Sequence, residues 1–287
     1  MSNTVYDIVT DRLVKILEQG VSPWNKPWAS QGLTMAVNYN SKKAYRGINA
    51  ILTNMAGFGS PYWLTYKQAS AMGGQVRKGE KGTPIVFWAK QESDDPSRKD
   101  RFIIRYYTAF NLEQIDGINA PKVERVNNEF ESIASCDRIV AGFKTMPKLS
   151  HGGNQAFYRP ASDEIWMPNK SDFKSSAGYY GTLFHEMAHA TGHESRLNRE
   201  AFKQIVRFGS HEYSKEELVA EMTSAFLCAE SGIDSPDMIG NSASYLQSWI
   251  RALKGDKTLA LQAAGQAQKA ADFILGRNFN LDNNAEA

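Results

Sequence analysis

The spacing of apolar residues in the first part of the chain predicts a helix, a second short helix and two strands. An amphipathic helix opens the chain and ends at Gly20. Its apolar positions are Val5, Ile8, Val9, Leu13, Ile16 and Leu17. A short helix over residues 64–72 stops at Gly73, and strands are predicted over residues 84–89 and 102–111, around a polar loop.

The second part of the chain has mainly helical patterns. A helix is predicted from residue 129 to 134, and a β-hairpin has strands over residues 155–159 and 164–167. Further helices are predicted around residues 181–193 and 214–227, and an alanine-rich helix over residues 259–275 follows them.

The order of these elements predicts an α+β protein with two domains. A length of 287 residues suits two domains better than one. A polar stretch with Gly117 and Pro121 marks the boundary. We therefore predict a mixed α/β domain over residues 1–125 and a mainly helical domain with a small β-sheet over residues 126–287.

Composition narrows the class of protein. The sequence has no apolar run near the length of a membrane span and no signal-peptide layout. Its two cysteines, Cys136 and Cys228, are too few for a disulfide framework. We expect a soluble cytoplasmic protein without a membrane partner.

Positive charge concentrates near the start of the chain, although the net charge is only +2. Between Gln19 and Lys90, nine basic residues face one acid, Glu80, and aromatic residues are interleaved with them. Cations that follow phosphates and rings on which bases stack are typical of proteins that bind single-stranded nucleic acid. The alternative, a domain whose rings form its core beneath a solvated basic surface, stays open. The candidate DNA contacts are Trp24, Lys42, Lys43, Tyr45, Arg46, Trp63, Tyr66, Lys67, Arg77, Lys78 and Lys81.

A metal-site motif lies in the predicted helix over residues 181–193. His185, Glu186 and His189 form His-Glu-x-x-His, in which residues i and i+4 of a helix face one cation. The pattern predicts a metallopeptidase-like site for one Zn²⁺ per chain, with other divalent metals possible, and with Glu186 as the catalytic base. Two surface histidines paired by chance and a purely structural metal site are the alternatives.

A zinc site of this kind needs a third protein ligand. The sequence offers His193, His211, Glu217 and Glu221, whereas the version with a third histidine would require one at Ser195. Ser214 and Glu217 have the spacing of a capping box, which gives Glu217 a structural role. Glu221 lies at the margin of an apolar helix face and is the predicted third ligand, as in gluzincins.

Motifs in both halves of the chain resemble the ArdC-type antirestriction proteins of conjugative plasmids. The N-terminal motifs are Pro23-Trp24-x-x-Pro27-Trp28, Tyr45-Arg46-Gly47-Ile48-Asn49, Tyr62-Trp63-x-Thr65-Tyr66-x-Gln68 and Val76-Arg77-Lys78-Gly79-x-x-Gly82. The C-terminal motifs are Thr182-Leu183-Phe184-His185-Glu186-x-x-His189-x-Thr191-Gly192-His193, Arg196-Leu197 and Glu217-Leu218-Val219-x-Glu221. The N-terminal group is fairly specific to that family, while the C-terminal group is shared with other zincin domains of mobile elements.

The resemblance implies an N-terminal domain that binds single-stranded DNA and a C-terminal metallopeptidase-like domain. It also implies protection of incoming plasmid DNA during conjugation, with host restriction-modification proteins as candidate partners. A related module occurs in plasmid primases, but the chain has no Asp-x-Asp pair for two-metal polymerase chemistry. A DNA-localised peptidase that resembles SprT, and a zincin scaffold without activity, remain the alternative functions.

Overall fold

The computed structural model describes residues 4–24, 35–91, 101–119, 129–200, 211–233 and 243–277. Within these ranges the chain forms eight α-helices and nine β-strands, and the predicted α+β class is confirmed. None of the helices in the described ranges combines the length and the apolar composition needed to cross a bilayer.

Of the described helices, three lie near the start of the chain, and five lie from residue 129 onwards. They are α1 (Val5–Leu17), α2 (Ile48–Met55), α3 (Tyr66–Ala71), α4 (Glu129–Gly142), α5 (Ser176–Ala190), α6 (His211–Ser231), α7 (Ala243–Gly255) and α8 (Leu259–Ile274).

The strands form three small sheets. They are β1 (Val37–Asn38), β2 (Tyr62–Thr65), β3 (Gln75–Val76), β4 (Thr83–Gln91), β5 (Arg101–Asn111), β6 (Ile115–Asp116), β7 (Lys148–His151), β8 (Phe157–Arg159) and β9 (Glu164–Met167). One sheet has the order β1-β2-β5-β4, β3 pairs with β6, and the third sheet has the order β7-β9-β8. The antiparallel β8–β9 pair confirms the predicted hairpin, and the two strands predicted over residues 84–89 and 102–111 pair with each other as β4 and β5.

Helix α1 begins with a capping box in which Thr4 and Asp7 exchange hydrogen bonds. Val9 and Leu13, on its buried face, belong to the same core as residues of α7 and α8. Thr10 Oγ1 also donates to the backbone carbonyl of Lys257, at 3.0 Å. The start of the chain is therefore fixed to its last described helices.

The largest hydrophobic core crosses the predicted domain boundary. It joins Leu13 and Ile51 to Phe184, Leu227 and Leu253. The boundary between residues 125 and 126 itself lies outside the described residues and stays a prediction. The two parts of the chain are thus packed together rather than merely linked.

Several elements differ from the sequence predictions. The helix predicted from residue 64 begins at Tyr66, because Leu64 belongs to β2 and Thr65 caps α3 by exchanging hydrogen bonds with Gln68. Helices α2 and α7 and strands β1, β2, β3, β6 and β7 have no specific counterpart in the predictions. The polar loop predicted between the two long strands falls at residues 92–100, outside the described residues.

Candidate metal centre and nucleic-acid surface

Helix α5 holds the two motif histidines on one side and core residues on the other. Ser175 caps the helix by accepting a hydrogen bond from the backbone N–H of Gly178, at 3.1 Å. Phe184 and Met187 are fully buried in the main core, which fixes the rotation of the helix about its axis. The side chains of His185 and His189 therefore reach the same point, one helical turn apart.

His185, His189 and Glu217 form the candidate metal centre. The Nε2 atoms of the two imidazoles lie 3.0 Å apart. The Glu217 carboxylate on α6 lies beside both, with Oε2 at 3.6 Å from His185 Nε2 and Oε1 at 3.6 Å from His189 Nε2. The potential ligand atoms all lie within 4.8 Å of one another. Two imidazoles and one carboxylate could hold a divalent cation with a position left for water.

Glu221 does not lie with these ligand atoms, which corrects the sequence prediction of the third ligand. Its Oε1 lies 3.5 Å from Nδ1 of His185, on the opposite side of the ring from Nε2. Helix α6 begins at His211, so Ser214 lies inside it, with its Oγ 3.0 Å from Oγ of Ser248. Because Ser214 does not cap the helix, Glu217 is available to the metal centre, and Glu221 sits behind His185.

The Nδ1 atom of His185 is buried and forms no hydrogen bond, although Glu221 is within 3.5 Å. A metal on Nε2 would leave the proton on Nδ1. The Nδ1–H group could then donate a hydrogen bond to the nearby Glu221 carboxylate. This buried nitrogen therefore fits a metal-binding role for His185.

A buried ion pair stands behind His189. The imidazole Nδ1 lies 3.3 Å from Oε1 of Glu216, and Oε2 of Glu216 accepts a hydrogen bond from Nε of Arg199 at 3.0 Å. Arg199 also donates to Thr191 Oγ1, at 2.6 Å, and to the carbonyl of Ala188, at 2.8 Å. Burial alone would raise the pKa of Glu216, but the charge of Arg199 and the hydrogen bonds with His189 and Arg199 together outweigh burial and lower the pKa. The carboxylate thus stays ionised and can orient His189.

The pKa values of the two histidines are displaced in opposite directions. Burial, and then the charge of His189, lowers the pKa of His185 well below its usual value. Burial also opposes the charged form of His189, but the hydrogen bond with Glu216 and the charges of Glu217 and Glu186 raise its pKa to about 9. Protonation is therefore favoured at His189 over His185.

Glu186 is a buried carboxylate beside the candidate metal centre. Its burial raises its pKa to about 7, although the charge of His189 and a hydrogen bond from the backbone N–H of Tyr158 oppose the rise. A carboxylate with a pKa near neutrality can both accept and return a proton.

Arg196 fixes the β7-β9-β8 sheet beside this site. Its guanidinium forms an ion pair with Asp163 at the β8–β9 turn, donates to the Tyr158 hydroxyl at 3.2 Å, and donates through Nε to the carbonyl of Ala190 at 2.6 Å. Strand β8, which supplies the Tyr158 N–H to Glu186, is therefore tied to the end of α5. Sequence reasoning noted Arg196 as part of a motif but assigned it no role.

The other two ligand candidates have different outcomes. His193 lies in the turn after α5, where its Nδ1 is 2.8 Å from Oγ of Ser195. It is not part of the group that could hold a metal. The side chain of His211 lies outside the described residues.

Three rings predicted to stack on DNA bases lie in the core, which corrects those assignments. Trp24 is fully buried and packs edge-to-face on Trp249, with ring centroids 5.1 Å apart. Trp63 and Tyr45 are buried in a small core with Ile85. A base cannot reach these rings in this conformation, so of the predicted aromatic contacts only Tyr66, which is 54% exposed, remains available.

The predicted basic contacts comprise two arginines in ion pairs and five exposed lysines. Arg46 forms an ion pair with Asp272 of α8, and Arg77 pairs with Glu80 at 3.0 Å and Asp116 at 3.3 Å. The lysines are all exposed: Lys42, Lys43, Lys67, Lys78 and Lys81. Lys42 lies over the ring of Tyr39, with Nζ 3.7 Å from its centroid.

The structure also shows exposed rings that are not among the predicted DNA contacts. Trp88 on β4, and Phe102 and Tyr106 on β5, are among the most exposed large apolar side chains in the described ranges. Strand alternation along two adjacent predicted strands was the available signal, since it places side chains of equal parity on one face.

Two family models match successive parts of the chain. One, described as the N-terminal domain of the anti-restriction factor ArdC, matches residues 3–110, and the other, described as a zincin-like metallopeptidase, matches residues 134–266. They support the predicted two-domain architecture.

Two solved structures of the antirestriction protein ArdC from the R388 plasmid are similar over nearly the whole chain. The metal-free structure is 39% identical, with a TM-score of 0.77, and the comparison covers 95% of this chain and 97% of that one. The Mn(II)-bound structure is 37% identical, with a TM-score of 0.78, and the comparison covers 97% and 100%.

Two curated relatives are of very different length. DNA primase TraC of Escherichia coli is 39% identical over 293 residues, which cover 94% of this chain but 27% of TraC. An uncharacterized protein of Sinorhizobium fredii is 35% identical over 298 residues, which cover 98% of this chain and 94% of that protein. The chain thus spans about a quarter of the primase.

Proposed function

Because the chain belongs to the ArdC family of antirestriction proteins, we propose that it protects incoming plasmid DNA from host restriction by binding it as a single strand. In this proposal the N-terminal part, residues 1–125, supplies the DNA contacts in the cytoplasm. The remaining part, residues 126–287, supplies a divalent metal centre of the metallopeptidase type.

The observation that carries the DNA-binding proposal is a group of exposed lysines on elements that enclose one small core. Lys67, at the start of α3, and Lys78 and Lys81, after β3, are exposed and form no ion pair with the described residues. Tyr66 exposes its ring beside Lys67. Exposed cations beside an accessible ring favour binding of a polynucleotide whose bases are unstacked. Because every base can stack on a ring, such binding should depend little on sequence.

Equilibrium binding of the full chain to oligonucleotides tests this proposal. Affinity should be higher for a single strand than for a duplex, with little dependence on sequence. Replacing Lys67, Lys78 and Lys81 with Gln should make the log–log salt slope shallower by about 0.7 for each phosphate that is no longer neutralised.

Lys174→Gln, an exposed lysine just before α5, is the matched control and should leave the slope unchanged. Equal affinity for duplex and single strands, or an unchanged slope in the triple variant, would contradict the proposal.

We further propose that His185, His189 and Glu217 bind Zn²⁺, one ion per chain. A Mn(II)-bound relative supports a divalent cation, and a donor set of two imidazoles and one carboxylate is typical of zinc. A bound divalent metal supplies Lewis-acid polarisation of a water molecule or a carbonyl group. Glu216 and Glu221 would orient the two imidazoles through their Nδ1 atoms.

Peptide hydrolysis on a protein associated with the DNA is the second candidate function. The observation that favours it is the position and pKa of Glu186, a buried carboxylate able to accept a proton near neutral pH. Host restriction-modification proteins are candidate substrates or partners.

Glu186→Gln separates the two functions. This variant should keep its metal and its DNA affinity, and protection of transferred plasmid DNA should persist if coating the strand is sufficient. Loss of protection in a variant with normal DNA affinity would favour peptide hydrolysis and would contradict protection by binding alone.

A further inference from the structure

Strands β4 and β5 extend beyond the sheet as a two-stranded ribbon. They pair in register from Thr83↔Ala109 to Gln91↔Arg101. The neighbouring strand β2 pairs only with residues 109–111 of β5. The ribbon from about residue 84 outward therefore has no third strand beside it among the described residues.

Three rings lie on one face of this ribbon. The register places Trp88 opposite Ile104, Tyr106 opposite Val86, and Phe102 opposite Lys90. Cross-strand partners point to the same face, and so do residues two apart along a strand. Trp88, Phe102 and Tyr106 are therefore neighbours on a single surface.

This face changes from core to solvent along its length. Val86 is buried in the main core, whereas Trp88 is 51% exposed, Tyr106 46% and Phe102 65%. On the other face, Ile85 is buried and Tyr107 packs on Phe87, with ring centroids 5.8 Å apart. The exposed rings are thus additional to those that hold the ribbon in place.

We propose that Trp88, Phe102 and Tyr106 form a stacking face for the bases of single-stranded nucleic acid. The inference rests on the proposed function and adds a specific binding surface to it. Along the ribbon axis the rings follow one another at steps of about 7 Å, because a strand rises about 3.3 Å per residue. An extended nucleotide chain can span such a step, so successive bases could stack on successive rings.

The charge of the ribbon selects this ligand over an apolar protein surface. The two strands contain three basic residues and no acid. By the register, Lys90 is on the face of the rings, and Arg101 and Arg105 are on the opposite face. Exposed rings on an unpaired ribbon are otherwise a liability for aggregation. A polyanion with stacking bases would cover the exposed rings with its bases and pair its phosphates with the basic residues.

The experiment measures binding of the full chain to labelled oligothymidylate over a range of salt concentrations. Trp88→Thr, Phe102→Thr and Tyr106→Thr, singly and together, remove the rings and keep a residue suited to strands. We expect affinity to fall about tenfold or more per ring that stacks on a base, with the salt slope unchanged. Trp88→Phe should retain most of the affinity.

Met72→Thr is the matched control, since Met72 is an exposed apolar side chain without a ring, outside the ribbon. Wild-type affinity in the triple ring variant would overturn the stacking face and leave the proposed function intact. Absence of single-strand binding by the wild-type chain would instead overturn the proposed function, and this inference with it. A lower thermal midpoint together with a changed salt slope would show a structural effect and would also overturn the stacking face.

Discussion

Arg199 and Glu216 form a buried ion pair directly behind the imidazole of His189, with Arg199 Nε 3.0 Å from Glu216 Oε2. Arg199 follows the turn after α5, and Glu216 lies on α6. The pair therefore connects the two helices that carry the candidate metal ligands.

Arg199→Met should destabilise the protein and weaken metal binding. It leaves the Glu216 carboxylate buried without its partner, which typically costs about 3–5 kcal/mol. Loss of orientation at His189 should lower metal affinity about 10- to 100-fold. Chemical denaturation and competition with a chelator measure the two effects separately.

The double variant Arg199→Met with Glu216→Leu is the control for this pair. It removes both charges, so stability should recover while metal affinity stays low. Wild-type metal affinity in the double variant would show that the pair has no role in orienting His189.

Glu217→Gln should cause a larger loss of metal than Glu221→Gln. Glu217 lies beside both Nε2 atoms, whereas Glu221 approaches only Nδ1 of His185. Loss of a ligand should nearly empty the site, while loss of an orienting carboxylate should cost about 10- to 100-fold in affinity. Metal content after dialysis and the rise in thermal midpoint on adding Zn²⁺ provide two readouts. The reverse order would restore Glu221 as the third ligand.

Trp24→Ala should act on stability rather than on DNA contact. The ring is fully buried against Trp249, and truncation of such a side chain typically costs about 3–5 kcal/mol. The protein that remains folded should bind single-stranded DNA with unchanged affinity. Urea denaturation measures the first effect, and binding well below the unfolding transition measures the second. A stable variant with reduced DNA affinity would return Trp24 to the DNA surface.

Because of Glu164, the stability of the β7-β9-β8 sheet, which lies beside the metal centre, should depend on pH in the acid range. The Lys148 ammonium and the Ser150 hydroxyl, each 2.7 Å from its Oε1, hold the pKa of Glu164 at about 2. Because this is below the value of about 4.3 in an unfolded chain, the stabilisation is complete above that value and is lost as pH falls towards 2.

Glu164→Gln should therefore lower the thermal midpoint at pH 6 but have little effect near pH 2. Lys148→Gln should give a loss in the same window, since it removes the other half of the pair. An equal difference between wild type and Glu164→Gln at both pH values would contradict this account.

The candidate metal centre was predictable where it depends on local spacing. His185 and His189 are one turn apart on one helix, so their convergence follows from helix geometry alone. The third ligand depends on which side of α6 faces α5. Residues 218–229 of α6 are all buried, so the pattern of apolar residues could not rank Glu217 against Glu221.

The DNA surface was less predictable for the same physical reason. An aromatic residue in a basic sequence can stack on a base or fill a core, and only long-range packing decides between them. Trp24 is buried because Trp249, far along the chain, lies against it. Trp88 is exposed because β4 extends beyond its sheet.

The packing of α1 against the last described helices has a consequence for the order of events during synthesis. The Thr10–Lys257 hydrogen bond joins residues 247 positions apart, and the same core contains Phe184 and Leu227 from the two metal-site helices. Contacts between such distant residues require closure of a very long loop, which slows their formation. Until α7 and α8 have been synthesised, α1 lacks the helices that cover most of its apolar face. We therefore expect the nascent chain to acquire its metal only after α8 has emerged. A translation product truncated before α8 should not bind metal, and its α1 should lack stable packing.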